Sequence, residues 1–253
     1  MREISLDSIE IVEDRTSQSS CDEGFLRLSR LRLKNLYSDG STSRVYSCDI
    51  ASRESSDAVV AVLYQKNEKR KINVILRESL RPPIYLRKFK VFEQADTKEY
   101  KHLLEVVAGV IEVGDGAFTR TFATRASKEA EEEVGCLIAP DDFHSLGGES
   151  FPSPGISDEK LYFCFGHAQN FMSGPPPGDG GPMEEVGRVV FVELREAIER
   201  CRRAEIPDMK TEVALLRLAD ALGYIPQLDC YLDELPDSLR ERYSSLGLES
   251  SNC

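Results

Sequence analysis

Glu129, Glu131, Glu132 and Glu133 crowd the run ASKEAEEEVGCLI at residues 126–138. Like charges three and four apart on a helix repel, so the run is either a solvated acidic face or the partner of something positive. Glu129 and Glu133 stand four apart, which puts their carboxylates one turn apart on one face, and Glu132 flanks the same arc. Hard divalent cations take oxygen ligands. Mg²⁺ in particular is held by one or two carboxylates, with water and substrate phosphate completing its shell. The turn after Gly109 can bring the Ala108 carbonyl beside such a helix. The chemistry available to these groups is metal-assisted hydrolysis of a phosphate ester, in which the cation activates water and neutralises developing charge.

The elements that must position these groups are legible on either side. LRLSRLRLKNLY and SRVYSCDIAS, joined through SDGS, predict a hairpin. DAVVAVLY (57–64) and INVILRES (72–79) are apolar, β-branched runs and read as buried strands. LLEVVAGV (103–110) reads as one further strand. A helix is expected from about Phe118 to Val134, with Ala123, Ala126, Ala130 and Val134 as its apolar stripe and Gly135 as its stop. KLYFCFGHA and GRVVFVEL read as strands, REAIERCRRA and KTEVALLRLADALGY as helices, and SGPPPGDGGPMEE as a loop. Residues 1–24 are acidic and Ser-rich and are expected to be at least partly loose, and the tail after Gln227 is acidic and weakly patterned. Strands and helices do not alternate strictly, which favours a mixed sheet with helices on its faces over a doubly wound parallel sheet.

A chain of 253 residues with 41% hydrophobic residues can supply a substantial core. Its net charge of −12 argues against a broad grip on nucleic acid or anionic membrane, while leaving room for a local basic pocket. No apolar run approaches a membrane span, and MREISLDSIEIVEDR has no signal-peptide pattern, so a cytoplasmic protein is expected. The seven cysteines include no C-x-x-C pair, which reads as reduced thiols. Cys136 occupies an apolar position and reads as core. His102, His144 and His167 share no metal-site spacing and read as structural or surface residues.

With these residues in place, AGVIEVGD (108–115) followed by KEAEEEVGC (128–136) resembles the Nudix box, G-x5-E-x7-R-E-U-x-E-E-x-G-U, where U is apolar. Gly109, Glu129, Ala130, Glu132, Glu133 and Gly135 match. Asp115 stands where the first Glu belongs, Lys128 where the Arg belongs, and the segment between them, 116–127, is five residues longer than the pattern. A lysine has no planar fork, so an Asp115–Lys128 brace would be less directional. The flanks VILRESLRPPIYLRK, FPSPGISDEKLYF, MEEVGRVVFVEL and EIPDMKTEVALLRLADAL are similar to segments of the ADP-ribose and nucleotide-sugar diphosphatases, with UDP-sugar diphosphatases the nearest resemblance.

The resemblance implies an α/β fold, a Nudix-like α/β/α sandwich with a mixed sheet and an N-terminal β-rich extension. Its boundaries would be 1–55 for the extension, 56–230 for the catalytic domain and 231–253 for the tail. It implies that the Ala108 carbonyl, Glu129 and Glu133 hold Mg²⁺ (or Mn²⁺), with Glu132 close behind. Glu185, or its neighbour Glu184, would hold metal or position the attacking water. Arg81 would bind the substrate diphosphate or its nucleotide end, and Glu159 would shape the substrate side. The implied activity is Mg²⁺-dependent cleavage of a nucleoside diphosphate sugar, with homodimerisation and neither nucleic acid nor membrane as partner. From the residues alone, Arg81 can equally be a surface residue at a strand end, Glu159 the start of a strand, and Glu184–Glu185 solvated loop charges. A Nudix-like binding protein that does not cleave its ligand, or an acidic interaction domain, are the rival classes.

Overall fold

The computed structural model describes residues 6–18, 25–112, 114–115, 121–178, 180 and 187–244. The chain divides into two compact units, Met1–Asp57 with Phe151–Lys160, and Ala58–Ser150 with Leu161–Cys253.

In the first unit, β1 (Leu6–Asp14), β2 (Arg27–Tyr37) and β3 (Tyr46–Ser52) form an antiparallel sheet in that order. The predicted hairpin is the β2–β3 pair, with Leu31 opposite Cys48. β1 lies inside the acidic segment for which the sequence predicts no regular element. Its acidity is complementary to the basic residues of β2: Glu10 pairs with Lys34 at 2.9 Å and Glu13 with Arg32 at 3.3 Å. Cross-strand pairs of opposite charge support a sheet whose residues are only half buried. The Phe151–Lys160 segment joins this unit, with Ala51 N–H donating to the Ile156 carbonyl at 2.8 Å.

The second unit is an α/β/α sandwich. Its elements are β4 (Ala58–Lys66), β5 (Ile72–Ser79), α1 (Pro82–Tyr85), β6 (Leu103–Glu105), β7 (Val107–Val110), α2 (Thr121–Val134), β8 (Cys136–Leu137) and β9 (Phe143–Ser145). There follow β10 (Leu161–His167), β11 (Asn170–Phe171), β12 (Val189–Glu193), α3 (Leu194–Arg202), α4 (Met209–Ala221), β13 (Tyr224–Ile225), β14 (Cys230–Tyr231) and α5 (Asp237–Ser244). The main sheet runs β12-β5-β4-β10-β9, with β6 paired to β5 and β7 to β4. β4 and β10 are parallel and the other pairs antiparallel, so the sheet is mixed.

β4 is buried on both faces, and its alternation sorts two cores. Val60 and Val62 join Leu194, Ile198, Leu215 and Leu218 of α3 and α4 on one side. Val59, Ala61 and Leu63 meet Ala123, Ala126, Ala130 and Val134 of α2 on the other. The alanine stripe brings the helix axis close to the sheet, which is what lets short acidic side chains reach strand backbone.

Two sequence expectations are corrected, and a third is met over the residues described. LLEVVAGV is two strands: the chain changes partner from β5 to β4 at Val106, whose N–H donates to Thr211 Oγ1 at 3.0 Å on α4. The described part of α2 starts at Thr121, while 118–120 lie outside the described residues. The region after Gln227 holds β14 and α5, with Leu232 and Leu235 buried against Ile225. Among the described residues no helix is long and apolar enough to cross a membrane.

Candidate active site

Helix α2 carries the candidate carboxylates, and its stop is well defined. Gly135 takes φ +67°, and its N–H donates to the Glu131 carbonyl at 2.9 Å, the left-handed helix ending that glycine adopts without steric penalty. Glu133 is 7% exposed, buried on the sheet side with the alanines. Glu129 has 12% of its side chain exposed and lies against β7. A Cβ built on Gly109 would stand 1.8 Å from Glu129 Oε1, so the carboxylate occupies the space any larger residue would need. Glu129 therefore packs onto β7, the strand that carries Ala108, and Glu133 follows one turn further along the helix. Glu132 is half buried and Glu131 exposed.

The helix is braced from below. Asp115 side-chain atoms are 1% exposed and accept from Arg125 Nε at 2.8 Å, Arg125 Nη2 at 3.2 Å and Lys128 Nζ at 2.8 Å. The Glu112 N–H adds a fourth bond at 2.8 Å. Burial opposes ionisation of Asp115, but the bonds from Lys128, Glu112 N–H and Arg125 outweigh it and hold the carboxyl below its usual range. Arg125 Nη1 also reaches Glu129 Oε1 at 3.5 Å, so one guanidinium links the brace to the candidate ligand. The planar fork that Lys128 lacks is thus supplied by Arg125, three residues earlier and nearly one turn away. Sequence reasoning missed Arg125. Its i,i+4 spacing to Glu129 was the available signal.

A second buried network sits at the end of β5. Arg81 is the residue before α1 and forks onto Glu105 of β6, with Nε to Oε1 and Nη2 to Oε2 both at 2.9 Å. Glu105 is 2% exposed and also accepts from Lys210, which in turn donates to Asp208 at 2.9 Å. Asp208 caps α4, accepting from Thr211 N–H at 3.1 Å and Thr211 Oγ1 at 2.6 Å. Burial alone would neutralise Glu105, yet Lys210 and Arg81 hold it below the ordinary glutamate value. Burial likewise disfavours the Lys210 ammonium, and Glu105 with Asp208 keep it above its ordinary value. Hydrogen bonding to Glu105 raises Arg81 further, and the charge of Glu133 also acts on it, which places Arg81 in electrostatic reach of α2. Glu105 was not singled out from sequence, because its partner Lys210 lies 105 residues away; Asp208 and Lys210 stood inside the quoted segment EIPDMKTEVALLRLADAL without a role.

The remaining candidates fall elsewhere. Glu159 pairs with Arg53 at 2.8 Å in the first unit. Glu184 and Glu185 lie outside the described residues. Of the described residues nearest to them in sequence, Gly178 N–H donates to the Glu132 carbonyl at 2.8 Å, and the Gly187 carbonyl accepts from Arg77 Nη1 at 3.3 Å. Cys136 is fully buried with its thiol pushed up to about 11 by burial, as expected of a core residue. Among the described residues, no three His, Cys, Asp or Glu side chains gather closely enough to form a complete metal cage. Helix α2 offers two largely buried carboxylates four residues apart, Glu129 and Glu133, with Glu129 against Gly109 of β7. That suits Mg²⁺, which ordinarily takes one or two carboxylates and leaves the rest of its shell to water and phosphate.

No family model matches the sequence. No curated protein matches it either. The fold does recur: 151 chains of solved structure match, so the likeness does not rest on one chance superposition. Among them is the crystal structure of an ADP compounds hydrolase, with a TM-score of 0.58 and 15% identity, covering 86% of this chain and 96% of that one. At that identity the likeness establishes the Nudix-like fold of the chain.

Proposed function

We propose that this protein is a Mg²⁺-dependent Nudix-type hydrolase that cleaves the diphosphate of a nucleoside diphosphate sugar to a nucleoside monophosphate and a sugar phosphate. The observation that carries the reading is the Glu129 carboxylate packed onto Gly109 of β7 with Glu133 one turn further along the same face. Two more support it. The fork of Arg125 on Asp115 fixes the helix, and the fold is shared with an ADP compounds hydrolase.

Glu129, Glu133 and the Ala108 carbonyl would hold the cation. When bound, the cation supplies charge neutralisation at the diphosphate and a more acidic water. The chain's own groups do the rest. Arg81 presents a guanidinium whose Nε and Nη2 are committed to Glu105, which leaves Nη1 outside that pair to meet a phosphate oxygen. Glu132 and Glu185 are the candidates for positioning water, while Glu159, paired with Arg53 in the first unit, has no part in this reading. Positioning and charge stabilisation would supply most of the rate, as in other phosphoryl chemistry. A binder that does not cleave was favoured only by the altered box, and Arg125 restores the forked brace that the alteration removes. The reading includes a homodimer and a cytoplasmic setting. Exposed Ile11, Phe25 and Leu26 on the first unit are the apolar residues such a dimer would cover.

Incubation with UDP-glucose and ADP-ribose in Mg²⁺, followed by product release, tests the reading. Arg81→Lys should lower kcat/KM by roughly tenfold or more, because one charge-assisted bond is worth about 1.5–3 kcal/mol. Unchanged kinetics in both Arg81→Lys and Arg81→Ala would remove Arg81 from the site.

A further inference from the structure

β5 and β6 are direct antiparallel neighbours, Ser79 opposite Leu103, yet residues 80–102 separate them. Antiparallel neighbours are usually joined by about 2–5 residues, so this connection is unusually long. This excursion leaves the sheet after Ser79 and returns at Leu103, and the Arg81–Glu105 fork ties its first residues to β6. Beyond α1 and one 3-10 turn at Leu86–Phe89 it is held by side chains. Arg87 makes a two-bond fork to Asp96 at 2.9 and 2.8 Å and lies over the Phe92 ring at 4.0 Å. Lys98 donates to the Ala204 carbonyl, tying the far side to the end of α3.

The excursion frames an open cleft of about 530 Å³. Arg87, Lys88, Lys90 and Lys98 line it, facing the acids Asp96 and Glu99. Asp96 is already committed to Arg87, so the lysines set the sign of the basin. Lys88 is steadied over the Tyr85 ring at 3.9 Å. A positive basin in a chain of net charge −12 is a local exception, and such exceptions concentrate anions.

We infer that the 80–102 excursion is a second anion site, which binds the diphosphate group of a small phosphorylated molecule through Lys88, Lys90 and Lys98. None of its lining residues belongs to α2, so it stands independently of the hydrolase reading. It binds phosphate without a metal, by ammonium groups alone.

The test is calorimetric titration of the full chain with inorganic pyrophosphate and with UDP, in EDTA so that the α2 carboxylates cannot recruit phosphate through a cation. Saturable binding is expected, weakened by added salt. The double variant Lys88→Gln/Lys90→Gln should weaken it about a hundredfold, since each lost charge-assisted contact is worth about a decade. Both lysines are exposed, so an unchanged melting temperature checks that the variant is folded. Glu133→Gln should leave the binding unchanged. Equal affinity for pyrophosphate and UDP assigns the diphosphate as the recognised group, and tighter UDP binding adds the nucleoside to it. Absence of binding for both probes, wild-type affinity in the lysine variant, or loss of binding in Glu133→Gln would overturn the inference. None of these outcomes depends on turnover, so failure here is separable from failure of the hydrolase reading.

Discussion

At the scale of residues, the site depends on two close fits. Gly109 has no side chain because the Glu129 carboxylate lies where a Cβ would be. Gly109→Ala should therefore displace Glu129 and sharply reduce turnover and the Mg²⁺-induced rise in Tm. Melting curves with and without Mg²⁺ check this, and an unchanged Mg²⁺ response would detach Glu129 from metal binding. The second fit is the buried Asp115, whose charge is held by Arg125, Lys128 and a backbone N–H. Its folded pKa is depressed, so its stabilisation is fully present above the unfolded value of about 3.9 and is lost as pH falls through the folded value. Asp115→Asn should be less stable than wild type at pH 7 and converge with it at low pH. Melting series from pH 7 to about pH 2 would show convergence only at the acid end, below the unfolded value, and parallel curves throughout would contradict it. The candidate ligands on α2 were legible from spacing. The brace was only half legible: Lys128 stood at the expected place, while Arg125 reaches Asp115 through a fold of the chain that spacing does not encode.

At the scale of elements, regularity was readable wherever one segment decides its own structure. The alanine stripe of α2, the β-branched runs of β4 and β5 and the β2–β3 hairpin each carry a local period. The sequence was silent where distant segments decide. The break between β6 and β7 is set by Thr211 on α4, and β1 forms because its acids meet the basic residues of β2. The Glu105–Lys210 contact is of the same kind, joining a strand to the first turn of α4. Leaving one member of a buried pair alone costs about 3–5 kcal/mol, whereas replacing both by apolar residues costs less. Lys210→Met leaves Glu105 its Arg81 fork and should destabilise the protein by less than that amount, whereas adding Glu105→Leu also strands Arg81 and should not recover the loss. Urea unfolding of the two variants measures it, and a strictly additive double variant would refute the coupling.

At the scale of the whole molecule, a β-rich unit and a Nudix-like α/β/α unit share one chain, and the candidate chemistry is concentrated in the second. The acidic total charge suits a protein whose anionic ligand is met through a cation and a few placed guanidinium and ammonium groups rather than a broad basic surface. If the first unit dimerises, sedimentation velocity should give a single species of twice the chain mass, and a charged residue at Phe25 should dissociate it without unfolding the second unit. The central claim, hydrolysis at the α2 carboxylates, is met most directly by phosphorus NMR of UDP-glucose and ADP-ribose incubated with wild type and Glu133→Gln. The account predicts Mg²⁺-dependent replacement of the diphosphate signals by two monophosphate signals in the wild type, with a folded Glu133→Gln nearly inert. Intact diphosphate in the presence of wild type and Mg²⁺, or equal cleavage by Glu133→Gln, would contradict it.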